Sequence, residues 1–209
     1  MTPLGAAARE ILDWLGAHRL RGCVIGGVAV QRWGEPRLTQ DVDVTVIAAV
    51  GDEERVIDAL LEGFAPRRAD ARDFALRHRV LLLRAGNGVA LDVALGATPF
   101  ETQTVRRASL FELEPGCRIR TCSAEDLVVH KVVAGRPRDV ADIEGIIARQ
   151  RHRLDLRRIR RWLAEFSAID GMPDFGRTID AALAAAAKVK VARRPRCRRS
   201  RRTAGRNAP

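Results

Sequence analysis

Three features of this 209-residue chain predict an α+β fold. Short apolar runs at Cys23-Val-Ile25, Thr39 to Ile47, Val80 to Leu83 and Val89 to Leu95 read as strands of a small mixed sheet. Segments with apolar residues at helical spacing separate these runs, and from residue 123 onward they take over. Two acids, Asp41 and Asp43, interrupt the apolar run Asp41-Val-Asp-Val44, which follows the glycine pair Gly26-Gly27 after a thirteen-residue spacer. The expected organisation is a core over residues 1–122, a helical region over 123–187 and a basic, disordered tail over 188–209.

In chain order, Leu4, Ala7, Ala8, Ile11, Leu12 and Leu15 repeat at helical spacing, so residues 4–18 are a helix ending near Gly16. Cys23 to Ile25 runs into the glycine pair, and Val28 to Trp33 reads as one or two helical turns stopped by Gly34-Glu-Pro36. Asp52 is placed to cap a helix through Phe64, with Glu53 and Glu54 in its first turn. Residues 65–79 carry a weaker pattern, with a short helix expected over 71–77. Asn87-Gly88 marks a hairpin turn between the Val80 and Val89 strands. Residues 96–122 are mixed, with an extended piece at Arg118-Ile-Arg120. Ser123-Ala-Glu-Asp126 opens a helix broken at Gly135-Arg-Pro137, and Asp139 starts the next, to about Gln150. Asp155 caps a helix over 156–166, and the Ala-rich residues 176–191 read as a last helix, with disorder from Arg193.

The formal charge of +11 is concentrated. Ten Lys or Arg and no acid lie in residues 188–209, and removing them leaves +1 for residues 1–187. This tail, with Arg157, Arg158, Arg160 and Arg161, suggests attraction to an RNA or DNA partner through phosphates, or simply a solubilising segment. Aromatics are 4% of the chain and tyrosine is absent, which argues against a dedicated single-strand binder built on stacking. Cys23, Cys117, Cys122 and Cys197 lack the spacing of a zinc site and read as ordinary reduced thiols. No run of eighteen apolar residues and no signal-like N-terminus is present, so the expectation is a cytoplasmic protein without a membrane partner.

The chemistry centres on Asp41, Asp43 and Asp92. Residues two apart in a strand point to the same face, about 6–7 Å from each other. Each acid sits in a short apolar strand segment, and an uncompensated buried charge is costly. If the Asp92 strand lies beside the Asp41 strand, three carboxylates share one face. Such a face suits hard divalent cations such as Mg²⁺ or Mn²⁺, in the two-metal arrangement of phosphoryl and nucleotidyl transfer. The glycine pair allows close backbone approach, and a helix starting there offers N–H groups to a phosphate.

An apolar residue, a glycine pair, a spacer, Asp-apolar-Asp-apolar and a later strand acid together resemble the DNA polymerase β-type nucleotidyltransferase superfamily. Arg37-Leu-Thr-Gln-Asp41, Glu125-Asp-Leu-Val-Val-His-Lys131, Arg136-Pro-Arg-Asp139 and Asp142 are similar to its minimal prokaryotic branch, which includes AbiEii-type toxins of type IV toxin–antitoxin systems. The resemblance implies that Gly26 and Gly27 hold the triphosphate of an NTP. It further implies that Asp41 and Asp43 bind both metals and that Asp92 completes one site and helps activate an acceptor hydroxyl. Lys131 would then contact nucleotide phosphates, with Arg136 and Asp139 beside the site. It also implies a possible antitoxin partner.

By themselves, Asp139 and Asp142 read first as helix-capping residues, and Lys131 reads equally as a surface lysine. Arg32 and Arg37 suit phosphate or plain solvent, Trp33 suits the core, and His78 and His130 form no pattern with the acids. Three functions remain open at this point. One is a nucleotidyltransferase acting on tRNA, protein or a small molecule, and a second is an antibiotic-modifying enzyme with the same chemistry. The third is a silent nucleotide- or nucleic-acid-binding module of the same fold.

Overall fold

The computed structural model describes residues 1–192, so the expected disorder from Arg193, and Cys197 with it, lies outside the described residues. The chain begins with α1 (Pro3–Ala17), β1 (Gly22–Val24), α2 (Gly26–Trp33), β2 (Asp41–Ile47) and α3 (Glu53–Gly63). Then come β3 (Ala65–Pro66), α4 (Ala71–His78), β4 (Val80–Arg84), β5 (Ala90–Gly96), α5 (Pro99–Arg107), β6 (Ser109–Glu114) and β7 (Cys117–Thr121). Four helices complete it: α6 (Ala124–Ala134), α7 (Pro137–Gln150), α8 (Leu156–Ser167) and α9 (Phe175–Ala192). Helix α9 thus includes residues 188–192, at the head of the expected tail.

The strands form one mixed sheet in the order β3-β4-β5-β2-β1-β7-β6. Alternation along the strands sorts its two faces. Val42, Val44 and Val46 of β2 and Leu91, Val93 and Leu95 of β5 join a core with α1, α3 and α4. The opposite face carries Asp41, Asp43, Asp92 and Ile47, and Ile47 packs against a second core built from α2 and α5 to α9. An acid is tolerated in these strands because every second residue is a fully buried aliphatic worth roughly 1.5–3 kcal/mol in burial.

Helix ends follow side-chain capping. Thr2, Ser123 and Asp155 accept from the backbone N–H three residues on, at 3.1, 3.2 and 3.0 Å. Asp52 stands at the N-cap of α3, but its side chain makes no capping bond. Glu53 instead accepts from Gly51 N–H at 2.6 Å and pairs with Arg79. Gly135, left-handed at φ +60, ends α6, and α7 starts at Pro137, two residues ahead of expectation.

The stretch left mixed by the sequence, 96–122, contains a helix and a hairpin. Helix α5 opens with a Thr98–Glu101 capping box and Pro99. Strand β6 is a sheet edge with no fully buried residue; only Phe111 and Leu113 alternate onto the core, a signal two residues long. Cys23, Cys117 and Cys122 are buried free thiols. Burial pushes Cys23 up to about 12 and raises Cys122 strongly, which keeps both protonated and unreactive. Among the described residues no helix is long and apolar enough to cross a membrane.

Candidate active site

Strands β2 and β5 are adjacent and parallel, with Asp43 opposite Asp92 and Asp41 opposite Ala90. The hairpin therefore places β5 between its partner β4 and the strand that carries the first two acids. The three carboxylates share one face and line a cavity of about 680 Å³ with Gly26, Gly27, Lys131, Arg136 and Asp139. All eight residues singled out from the sequence thus reach one concavity.

The glycines are required by close approach. They form the first residues of α2, whose N-cap position, Ile25, supplies no side-chain capping bond. Gly26 is left-handed at φ +58, and a Cβ there would overlap the Asp43 carboxylate. A Cβ on Gly27 would lie 2.5 Å from Thr39 Oγ1. Gly27 N–H donates to Asp43 Oδ2 at 3.3 Å, and Thr39 Oγ1 donates to Asp41 Oδ1 at 2.9 Å. The helix start, with its partial positive charge, is therefore in contact with the acidic strand.

The three strand acids are short of compensating charge. Burial, then repulsion from Asp41, raises Asp43 above the ordinary carboxylate value, and the Gly27 N–H only partly opposes this. Asp92 is also raised, by burial and by Asp41, against the opposing pull of Arg67. Arg67 donates to Asp92 through Nη2, while its buried Nε has no partner. An all-oxygen donor set with unrelieved repulsion fits a hard divalent cation in its chemistry. Among the described residues, however, no three His, Cys, Asp or Glu side chains converge as a ready-made metal cage. Arg67 holds one of the three acids.

Across the cavity a second acidic group is neutralised. Lys131, on α6, is buried rather than on the surface, and its Nζ lies 2.7 Å from both Asp139 Oδ1 and Asp142 Oδ2. Arg37 closes on Asp142 as a fork, Nε to Oδ1 at 2.8 Å and Nη2 to Oδ2 at 2.9 Å. Burial alone would raise Asp142, but the bonds from Arg37 and Lys131 outweigh it and hold the acid below its ordinary value. Asp139 does cap α7, accepting from Arg136 N–H at 3.2 Å, and binds Lys131 as well. Asp142 is not a cap; it ties α7 to α6 and to the 34–40 connection. Two of the three ammonium donors of Lys131 are thus engaged, leaving one for a ligand.

Several residues in or next to the cavity wall were not assigned to the site from sequence. Arg67 lies in the weakly patterned 65–79 stretch, so nothing local pointed to it. Thr39 precedes Asp41 by two, the same-face spacing, which is a usable signal. Arg138 lines the cavity, exposed, at the start of α7. His130 shares the cavity-facing stripe Leu127, His130, Lys131, Ala134 of α6. Its ring packs on Phe100 at 4.9 Å, and burial pushes it down to about 4, so it is neutral at pH 7. Arg32 is turned away, donating to Ser109 O and Thr121 Oγ1, and Trp33 donates to Cys122 O at 2.8 Å. On α8, Arg158, Arg160 and Arg161 pair with Asp126, Asp180 and Glu165, so most of the expected basic face is already compensated.

The family model described as "Nucleotidyl transferase AbiEii toxin, Type IV TA system" matches residues 23–203. No curated protein matches the chain. Among solved structures, an antigenic nucleotidyltransferase-like protein from Paracoccidioides brasiliensis is similar at 16% identity, covering 85% of this chain and 92% of its own, with a TM-score of 0.48. The antibiotic-resistance enzyme ANT(2")-Ia in complex with adenylyl-2"-tobramycin is similar at 14% identity, covering 89% and 98%, with a TM-score of 0.48. The lincomycin-bound lincosamide antibiotic adenylyltransferase LnuA is similar at 16% identity, covering 65% and 91%, with a TM-score of 0.44.

Proposed function

The chain belongs to the AbiEii nucleotidyltransferase toxin family, and on that premise we propose a divalent-cation-dependent transfer of a nucleoside monophosphate from an NTP to an acceptor hydroxyl, with pyrophosphate released. The observation that supports this most is the register pairing of Asp43 with Asp92, with Asp41 two residues along the same face. Residues 1–122 are read as the catalytic core, 123–187 as the helical region that supplies Lys131, and 188–209 as an appended basic segment.

Asp41, Asp43 and Asp92 would hold Mg²⁺ or Mn²⁺. The cation, when bound, neutralises triphosphate charge and makes the acceptor hydroxyl easier to deprotonate. Gly26 and Gly27 present backbone N–H groups at the start of α2 to the phosphates. Lys131, held in place by Asp139 and Asp142, directs its remaining donor at the triphosphate, and exposed Arg136 adds charge at the rim. The acceptor oxygen forms a bond to the α-phosphorus as the bond to the pyrophosphate oxygen breaks. The hydroxyl proton passes to the Asp92 carboxylate.

The acceptor is read as RNA, protein or a small molecule. The basic residues of 188–209 favour a polyanion such as tRNA, with cytoplasmic action as a toxin restrained by an antitoxin. The test is incubation with labelled NTPs and Mg²⁺ or Mn²⁺, followed by separate counting of RNA, protein and metabolite fractions. Cation-dependent label in one fraction, lost in Asp41→Asn and Asp43→Asn variants, is expected. Tail deletion should abolish labelling of RNA and spare a small-molecule acceptor. Bound NTP with no label in any fraction would return the reading to a silent binding module.

A further inference from the structure

Two Arg–Asp pairs, each contributing one residue to the cavity lining, are built differently. Arg37 grips Asp142 with two parallel hydrogen bonds, the geometry of a permanent structural pair. Arg67 touches Asp92 with Nη2 alone, and its buried Nε has no partner. Arg67 follows the outermost strand β3, and its side chain reaches across β4 to β5. Its backbone is pinned to β4 by a 2.9 Å bond from its N–H to Leu82 O, so the side chain can leave Asp92 without moving the sheet. A half-buried guanidinium with its buried Nε unpartnered is a poor choice for a fixed strut. It is a suitable choice for a cation that must give way.

We propose that Arg67 is a positioning residue, the resident counter-cation of the carboxylate face, and that it competes with the divalent cation for Asp92. This rests on reading the three strand acids as the cation site. While Arg67 holds Asp92, one of the three carboxylates is occupied by a cation of the chain itself, and no converged three-donor group is present among the described residues. Release of Asp92 completes the set and leaves a guanidinium beside it, placed to meet an anionic substrate group. Cation binding and Arg67 movement are then one event.

Mn²⁺ titration of the full chain, read by the electron paramagnetic resonance of free Mn²⁺, tests this. Arg67→Ala should bind Mn²⁺ about tenfold tighter than the wild type, the low end of what one adjacent charge does to a carboxylate's proton affinity. Arg67→Lys should stay near the wild type, and on an Asp92→Ala background Arg67→Ala should change nothing. Arg67→Gln, which keeps a polar head, should also tighten binding and carries the test if circular dichroism shows Arg67→Ala to be unfolded. Unchanged or weaker Mn²⁺ affinity in the folded variants overturns the role of Arg67. So does an equal gain without Asp92, because the effect would then be general electrostatics. Absence of Mn²⁺ binding in every protein, Arg67→Ala included, overturns the cation-site reading itself and this proposal with it.

Discussion

Two groups of acids beside the same cavity deal with their charge in opposite ways. Asp139 and Asp142, on α7, are enclosed by Lys131 and Arg37, and Asp142 is held below the ordinary carboxylate value. Asp41, Asp43 and Asp92, on β2 and β5, meet a few neutral donors and one single-armed arginine, and Asp43 and Asp92 are held above it. Burial is costly in both groups. In the first, partners within the chain offset it, so these acids hold α6 and α7 together. In the second the offset is missing from the chain itself, which marks where a ligand's charge belongs.

Substitutions of the same kind in each group should separate these roles. The largest effect is expected at Lys131→Met, which strands the buried Asp139 and leaves Asp142 with Arg37 alone. Loss of one partner of a buried pair costs about 3–5 kcal/mol, read as a lower urea midpoint. Asp43→Asn should leave that midpoint unchanged or higher while transfer falls by about a hundredfold or more, roughly 2.7 kcal/mol of barrier. A matching fall in stability at Asp43→Asn would erase the distinction between the groups.

Gly26→Ala probes the contact between helix and acid. The left-handed backbone costs about 1–2 kcal/mol, and the new methyl must push the Asp43 carboxylate aside. Lower stability and weaker Mn²⁺ binding together are expected; loss of stability alone would show that the close approach serves packing only.

The smallest effect is a pH dependence of opposite sign. Asp142 contributes stability above the ordinary carboxylate pKa of 3.8, and this is lost as pH falls through its lowered folded value. Asp43 and Asp92 bind protons more readily folded than unfolded, so stability gained at low pH is lost as pH rises through their raised values. Chemical denaturation from neutral pH toward the carboxylate range should show a shallower fall, or a gain, in the wild type compared with an Asp43→Asn, Asp92→Asn double variant. Adding Mg²⁺ at neutral pH should stabilise the wild type and leave the double variant unmoved.

The alternation of acid and aliphatic in Asp41-Val-Asp-Val44 was legible because a strand's period of two is written directly into the sequence. The glycine pair was equally legible, though its reason was not. That reason is the distance from Gly26 to Asp43 and from Gly27 to Thr39, and distances across seventeen or twelve residues have no sequence signature. Helix α5 was missed although Thr98, Pro99 and Glu101 spell its capping box, whereas β6, an edge strand, shows only the pair Phe111 and Leu113 facing the core, too short a period to stand out.

By itself the sequence determined the α+β class, the strands that carry acids and the family of the chain, because these depend on local periodicity and the order of short motifs. The tertiary structure alone decided which acids are neutralised. Lys131 serves Asp139 and Asp142 because α6 and α7 pack together, and Arg37 reaches Asp142 across 105 positions of chain. Arg67, in a stretch with little pattern, became a neighbour of Asp92 because β3, β4 and β5 lie side by side. Charge compensation is set by spatial neighbours, and sheet order rather than chain order chooses them.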